Sequence, residues 1–149
     1  MFEQKLKRML VPVEGAASDE DSVRLACVQA KRDKSEIVLL YVIEVKRNLP
    51  IDAEVGDEQG KGERVLDDLE HFAQQMGIRV QTDLVQAREA GPAIVGAAIE
   101  RGTDLIIMGV PYREKFGNFN VETRAIHVLE NAPCRVCLVR QPLKSAVAH

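Results

Sequence analysis

Tryptophan is absent from the 149-residue chain, and aromatic residues make up only 4% of it. Platforms for stacking nucleobases are therefore scarce, which argues against binding single-stranded nucleic acid. An excess of positive charge is missing too: 20 Lys and Arg stand against 23 Asp and Glu, for a formal net charge of −3 with the signs interspersed. A nucleic-acid-binding surface needs a concentrated basic stripe, so nucleic acid is not an expected partner. No apolar run approaches the ~20 residues needed to span a bilayer, and the chain is not expected to be membrane-embedded. The N-terminal MFEQKLKRMLVPV has basic residues, a short apolar run and no small-residue cleavage site, unlike a secretory leader. A cytoplasmic location is the expectation.

The three histidines, His71, His127 and His149, are scattered, with neither an HExxH pattern nor a Ser/His/Asp order. No hydrolase or zinc protease is supported, and neither catalytic residues nor metal ligands are expected.

What the chain does contain is alternation. Apolar runs at Met9 to Val13, Ile37 to Ile43, Val80 to Val85, Leu105 to Met108 and Val136 to Val139 predict five strands. The second and fourth are continuously apolar, as in central strands of a parallel sheet covered on both faces. The third alternates, which suits an edge.

Helical patterns lie between them. Ser18 with Asp21 opens the first, followed by Val23, Ala26, Cys27 and Ala30 at helical spacing. Val65, Leu69, Phe72 and Met76 form a stripe that stops at Gly77. Pro92 sits near the first turn of a third helix ending at Gly102, and a fourth runs from Val121 to Asn131 with Asn120 as its N-cap. Residues 45–60 have no clean period and predict a mobile surface loop.

This alternation predicts a single-domain, doubly wound (Rossmann-like) α/β fold, a five-stranded parallel sheet with helices on both faces. The domain is expected over residues 1–141, with a frayed tail at 142–149.

Four stretches occur in order: LVPVEG, LLYVIE, DLIIMG and VLENAPCRVCLVR. Together they resemble the universal stress protein family over nearly the whole chain. The resemblance implies strand order 3-2-1-4-5 and a homodimer paired through the last strand, Val136, Cys137, Leu138 and Val139. Those residues would otherwise form an apolar edge, which proteins usually cover. It also implies a non-enzymatic regulatory role through an unknown protein partner.

Nucleotide-binding members carry G-x2-G-x9-G-[S/T] after the fourth strand. Glycines let the backbone approach phosphate oxygens, and the following helix offers unpaired N–H groups. Laid on this chain, the motif begins at Gly109 and ends at Thr123, with Tyr112 and Glu122 where the other glycines belong. Glu122 favours its own helix by about 0.3–1 kcal/mol. It repels a polyphosphate by about 1–4 kcal/mol per close charge pair. Arg113, Lys115 and Arg124 stand against this as compensating charges.

The nucleoside end is better kept. Resemblance puts Pro12, Val13 and Glu14 near the nucleoside and Val42 at the adenine, with Glu14 replacing the family's more usual Asp. If a nucleotide binds, its residues would be Pro12, Val13, Glu14, Val42, Gly109, Arg113 and Thr123. The expectation is a degenerate pocket with no cofactor or a weakly held adenine nucleotide. The alternatives are an AMP or ATP sensor and, third, a slow ATPase. The competing structural reading is that Gly109 only ends a strand and Thr123 serves its own helix.

Cys134 and Cys137 have C-x-x-C spacing, but Cys137 falls inside a predicted strand and no further ligands accompany the pair. They are expected to be inert apolar residues.

Overall fold

The computed structural model describes residues 5–112, 114–115, 118–119 and 121–143. Five long strands, β1 (Arg8–Val13), β2 (Glu36–Glu44), β3 (Gln81–Ala87), β4 (Leu105–Val110) and β7 (Arg135–Arg140), alternate with four helices. The helices are α1 (Ser18–Asp33), α2 (Gly56–Gln75), α3 (Ala90–Glu100) and α4 (Thr123–Asn131). The long strands form one parallel sheet in the order β3-β2-β1-β4-β7, the 3-2-1-4-5 arrangement when the long strands alone are counted. Two further two-residue strands, β5 (Glu114–Lys115) and β6 (Asn118–Phe119), pair antiparallel in the β4–α4 connection. No apolar pattern in the sequence announced them, because they are too short to show a period.

Strand alternation divides the core into two layers. Met9, Val11, Ile37, Leu39, Tyr41 and Ile107 face α1 and α2, packing on Val23, Ala26, Leu66 and Leu69. Leu10, Leu40, Ile106 and Met108 face α3 and α4, packing on Ile94, Ala98, Ala125 and Val128. The central strands β1 and β4 are buried on both sides. Their entry is fastened by two acids: Asp33 accepts the N–H of Leu6, and Asp104 accepts those of Lys7 and Arg8.

Three local expectations are corrected. Helix α2 starts at Gly56, inside the segment expected to be a loop, with Asp57 and Glu58 in its first turn where the helix dipole favours them. The remaining connection is tethered: Gln86 donates to the carbonyls of Ile51 and Ala53, and Arg88 to those of Val45 and Lys46. Long-range partners of this kind leave no periodic mark in the segment itself. Ser18 forms no cap: Ala17 precedes α1 without a side-chain hydrogen bond, and the buried Ser18 hydroxyl has no hydrogen-bond partner among the described residues. Helix α4 begins at Thr123, with Glu122 extended at the N-cap position. Asn120, its expected cap, lies outside the described residues, as do 144–149 of the expected tail.

Among the described residues no helix is long and apolar enough to cross a membrane.

Candidate functional site

The carboxyl ends of β1 and β2 and the start of α3 enclose an open cleft of about 360 Å³. Its apolar walls are Pro12, Val13, Leu40, Val42, Ala90 and Ile94, and its polar groups are Glu14, Glu44 and Arg124. Four expected residues, Pro12, Val13, Glu14 and Val42, therefore meet in one place. Parallel pairing brings this about, since Pro12 and Val13 lie in register with Leu40 and Tyr41.

Arg124 comes from the first turn of α4 and reaches across the cleft. Its Nη2 lies 3.2 Å from Oε2 of Glu14, and its Nε donates to Oε2 of Glu122 at 3.1 Å. The guanidinium side chain is only 14% exposed, so solvent screens these two ion pairs less than surface pairs. From its sequence position Arg124 is one of three charges able to compensate Glu122. In the fold its charge is already engaged by two carboxylates.

Behind Glu14 lies Asp19, buried in the first turn of α1. Its carboxylate accepts the N–H of Gly15 at 2.7 Å and that of Glu14 at 3.2 and 3.3 Å. Gly15 has φ 86°, a left-handed conformation that a side chain would strain, and the Asp19 bonds hold this turn shut. Burial pushes the Asp19 carboxyl up to about 6, and the Glu14 charge adds to this. The two backbone N–H groups and Arg124 pull the other way. Sequence reasoning missed Asp19, because an acid early in a helix ordinarily serves that helix's own N-terminus.

Glu44, at the end of β2, accepts the Ala90 N–H at 2.9 Å and so supplies the first turn of α3 with an acceptor from another element. A second cleft of about 460 Å³ adjoins the first, lined by Glu44, Glu89, Ala90, Thr123, Arg124 and His127 among others. Thr123 lies there and not in the Pro12–Val42 cleft, while Arg124 lines both. Gly109 lines neither cleft. A Cβ at Gly109 would come within 2.6 Å of the Ser18 carbonyl oxygen and 2.8 Å of its hydroxyl, so the glycine lets α1 pack against β4.

Tyr112 stacks beneath the guanidinium of Arg140, which lies 5.3 Å from the ring centroid at the end of β7. Arg113 lies outside the described residues, and the side chain of Lys115 is not described.

Cys134 packs in the α3–α4 layer and Cys137 in the α1–α2 layer, on opposite faces of the sheet. Burial pushes both thiols up, away from the reactive thiolate. Among the described residues no group of three or more His, Cys, Asp or Glu is placed to hold a metal ion.

Comparison with known proteins places this architecture. Residues 5–140 match the Universal stress protein family. The chain is 25% identical to a universal stress protein of Methanocaldococcus jannaschii, over 95% of this chain and 86% of that protein. A solved universal stress protein from Archaeoglobus fulgidus superposes with a TM-score of 0.78 at 16% identity, covering 89% of this chain and 98% of that one. A universal stress protein structure from the same organism, in complex with dAMP, gives 0.72 at 15% identity over 91% and 99%. Because the matched segment runs from the first strand of the sheet to the last, the chain belongs to the universal stress protein family.

Proposed function

We propose that this protein is a non-enzymatic, cytoplasmic regulator that acts through protein contacts, with an adenine-nucleotide cleft closed by its own Arg124. The observation that carries this reading is the bridge from Arg124 to Glu14 and Glu122. Glu14 is the carboxylate whose oxygens would accept ribose hydroxyls, and one of those oxygens already holds the guanidinium. A ligand entering the cleft must replace that ion pair. A polyphosphate must also approach Asp19, Glu14, Glu44 and Glu122, and Arg124, the cation among the described residues that lines this cleft, already pairs with two of them.

The functional form we propose is a homodimer through β7. Among the described residues that strand is the sheet edge, paired with β4 alone, and its Val136, Cys137, Leu138 and Val139 are half-buried. Such an edge is a template for a second strand.

A second reading, an AMP or ATP sensor, draws support from the kept nucleoside walls at Pro12, Val13 and Val42 and from the dAMP bound by the Archaeoglobus relative. Under it Arg124 leaves Glu14 when the ligand arrives, and Thr123 with Arg113 meets the phosphate. Slow ATP hydrolysis, the third reading, needs a metal carboxylate and a positioned water, and no observation favours it over the other two.

Calorimetric titration of nucleotide-stripped protein with ATP, AMP and cyclic AMP, with and without magnesium, separates the first two. Closure predicts no affinity tighter than roughly 10 μM, about 7 kcal/mol of binding free energy. Tighter binding of any of the three establishes the sensor instead.

A further inference from the structure

The Arg124 bridge rests on a turn, and the turn rests on one buried acid. Asp19 accepts the N–H groups of Glu14 and Gly15, and thereby aims the Glu14 side chain at Arg124. The linked groups run from the first turn of α1 through the β1–α1 turn to the start of α4. Along this path Glu14 and Glu122 both pair with Arg124, and Asp19 lies within its field. Asp19 itself has no ion pair among the described residues. Its interaction with Arg124 acts through space, and its direct partners are neutral N–H groups.

We propose that Asp19 is the proton-sensing residue of the Arg124 latch, so that protonation of its carboxyl loosens the Glu14–Gly15 turn and weakens the hold on Arg124. The proposal rests on the closed-cleft reading, whose regulation it supplies. A carboxylate accepting N–H bonds does so with the strength of a charged acceptor, and its neutral form accepts more weakly. Loss of that charge also removes part of the negative field that retains the guanidinium and repels anions.

The surroundings single out Asp19 as the responding group. From the turn it faces Glu14, and from α4 Arg124 with Glu122 behind it. From β2 comes Tyr41, whose phenol is pushed up by burial first and then by the charges of Glu58, Asp19 and Glu14. From α2 come Val65, Leu69 and Asp68, which line an outer groove with Asp19 and its neighbour Glu20, while Lys61 approaches Gly15. Burial sets the Asp19 carboxyl near 6, inside the range a cell can traverse, and among the described residues the cation that acts on it is Arg124.

Thermodynamic reciprocity follows: if losing the Asp19 proton strengthens the latch, then opening the latch must favour proton uptake. An anion that displaces Arg124 would bind more tightly at lower pH, and a neutral nucleoside less so. A coupling of one pKa unit corresponds to about a tenfold change in affinity.

The test follows the Arg124 Nε–H by ¹⁵N NMR between pH 4.5 and 8 in the ligand-free protein and in Asp19→Asn. Expected in the wild type is a single transition with a midpoint near 6, the value burial gives Asp19, with several-fold loss of exchange protection on the acid side after correction for intrinsic exchange. The variant should lack it. A flat wild-type signal, or the same transition in Asp19→Asn, overturns the proposal. Should Asp19→Asn fail to fold, Glu14→Gln takes its place: the Asp19 carboxyl ¹³C resonance must still titrate near 6 while the Arg124 response is lost. An Arg124 response that survives there overturns the proposal.

Cyclic AMP, whose phosphodiester keeps one charge throughout this range, is titrated in parallel at pH 5.5 and 7.5 against adenosine. An NMR transition, with cyclic AMP held no tighter than roughly 10 μM at pH 7.5 and several-fold more tightly at pH 5.5 while adenosine changes less, supports the latch and the closed cleft together. Cyclic AMP binding tighter than roughly 10 μM at both pH values overturns the closed cleft, while the Arg124 signal still decides the latch.

Discussion

Arg124 and Glu14 come from elements more than a hundred residues apart, yet the Arg124 Nη2 lies 3.2 Å from the Glu14 Oε2, inside the cleft that family resemblance assigns to a nucleoside. The pair makes Glu14, the carboxylate that the resemblance assigns to ribose, an internal counter-ion. The consequences reach ligand affinity, pH response and stability.

Removal of the guanidinium should open the cleft. Arg124→Ala is expected to raise the affinity for neutral adenosine at least about tenfold, roughly 1.4 kcal/mol, as read by calorimetry. It should also lower stability by about 1–3 kcal/mol in urea unfolding, because Glu14 and Glu122 lose their shared partner in a partly buried setting. Unchanged adenosine affinity would count against closure by Arg124.

Gly109 should matter for packing whether or not a nucleotide binds. Gly109→Ala places a Cβ within 2.6 Å of the Ser18 carbonyl oxygen, which is backbone and yields little. A loss of about 1–3 kcal/mol is expected from such overpacking. Denaturant titration with and without saturating ATP measures it, and a loss seen only with ATP would show a phosphate role instead.

Acid should relieve a strain at Asp19. Its folded pKa, about 6, lies above the ordinary value of 3.8, so its stabilising contribution is fully present below 3.8 and is lost as pH rises through 6. The difference in unfolding free energy between wild type and Asp19→Asn should therefore shift in favour of the wild type from pH 7 to pH 4. The shift is about 3 kcal/mol at most, from roughly two pKa units. A pH-independent difference in urea unfolding would refute the burial argument.

The β7 edge offers a separate check. Leu138→Lys puts a charge on a half-buried position of the last strand and is expected to convert a dimer to monomer, read by light scattering at micromolar concentration. A wild type that is already monomeric would reject the proposed dimer outright.

Tyr112 should be less consequential than its position in the motif implies. With its ring under Arg140, Tyr112→Gly should cost about 0.5–1 kcal/mol of stability from the lost cation–π contact. Its effect on ATP affinity should be small, whereas Glu122→Gly frees one anchor of Arg124 and should act on the cleft. Calorimetry of the two single variants ranks them, and a larger gain from Tyr112→Gly would reverse this assignment.

Much of the fold was legible in the order of residues. Continuous apolar runs at Ile37–Ile43 and Leu105–Met108, helical stripes such as Val65 to Met76, and stops at Gly77 and Gly102 carry local information, because periodicity and backbone preference act within one element. The strand order and the assignment of Pro12, Val13 and Val42 to a nucleoside site both came from family resemblance; that the three line one cleft is a consequence of parallel strand ends lying together.

Other features were decided only when elements from distant parts of the chain met. That Arg124 spends its charge on Glu14, that Asp19 turns from its own helix to the Glu14–Gly15 turn, that Gly109 yields to Ser18, and that Tyr112 stacks on Arg140 are all contacts between segments. Side-chain charge and reach are written in the sequence. The partner is not, because it depends on which termini of strands and helices the parallel sheet brings to the same end.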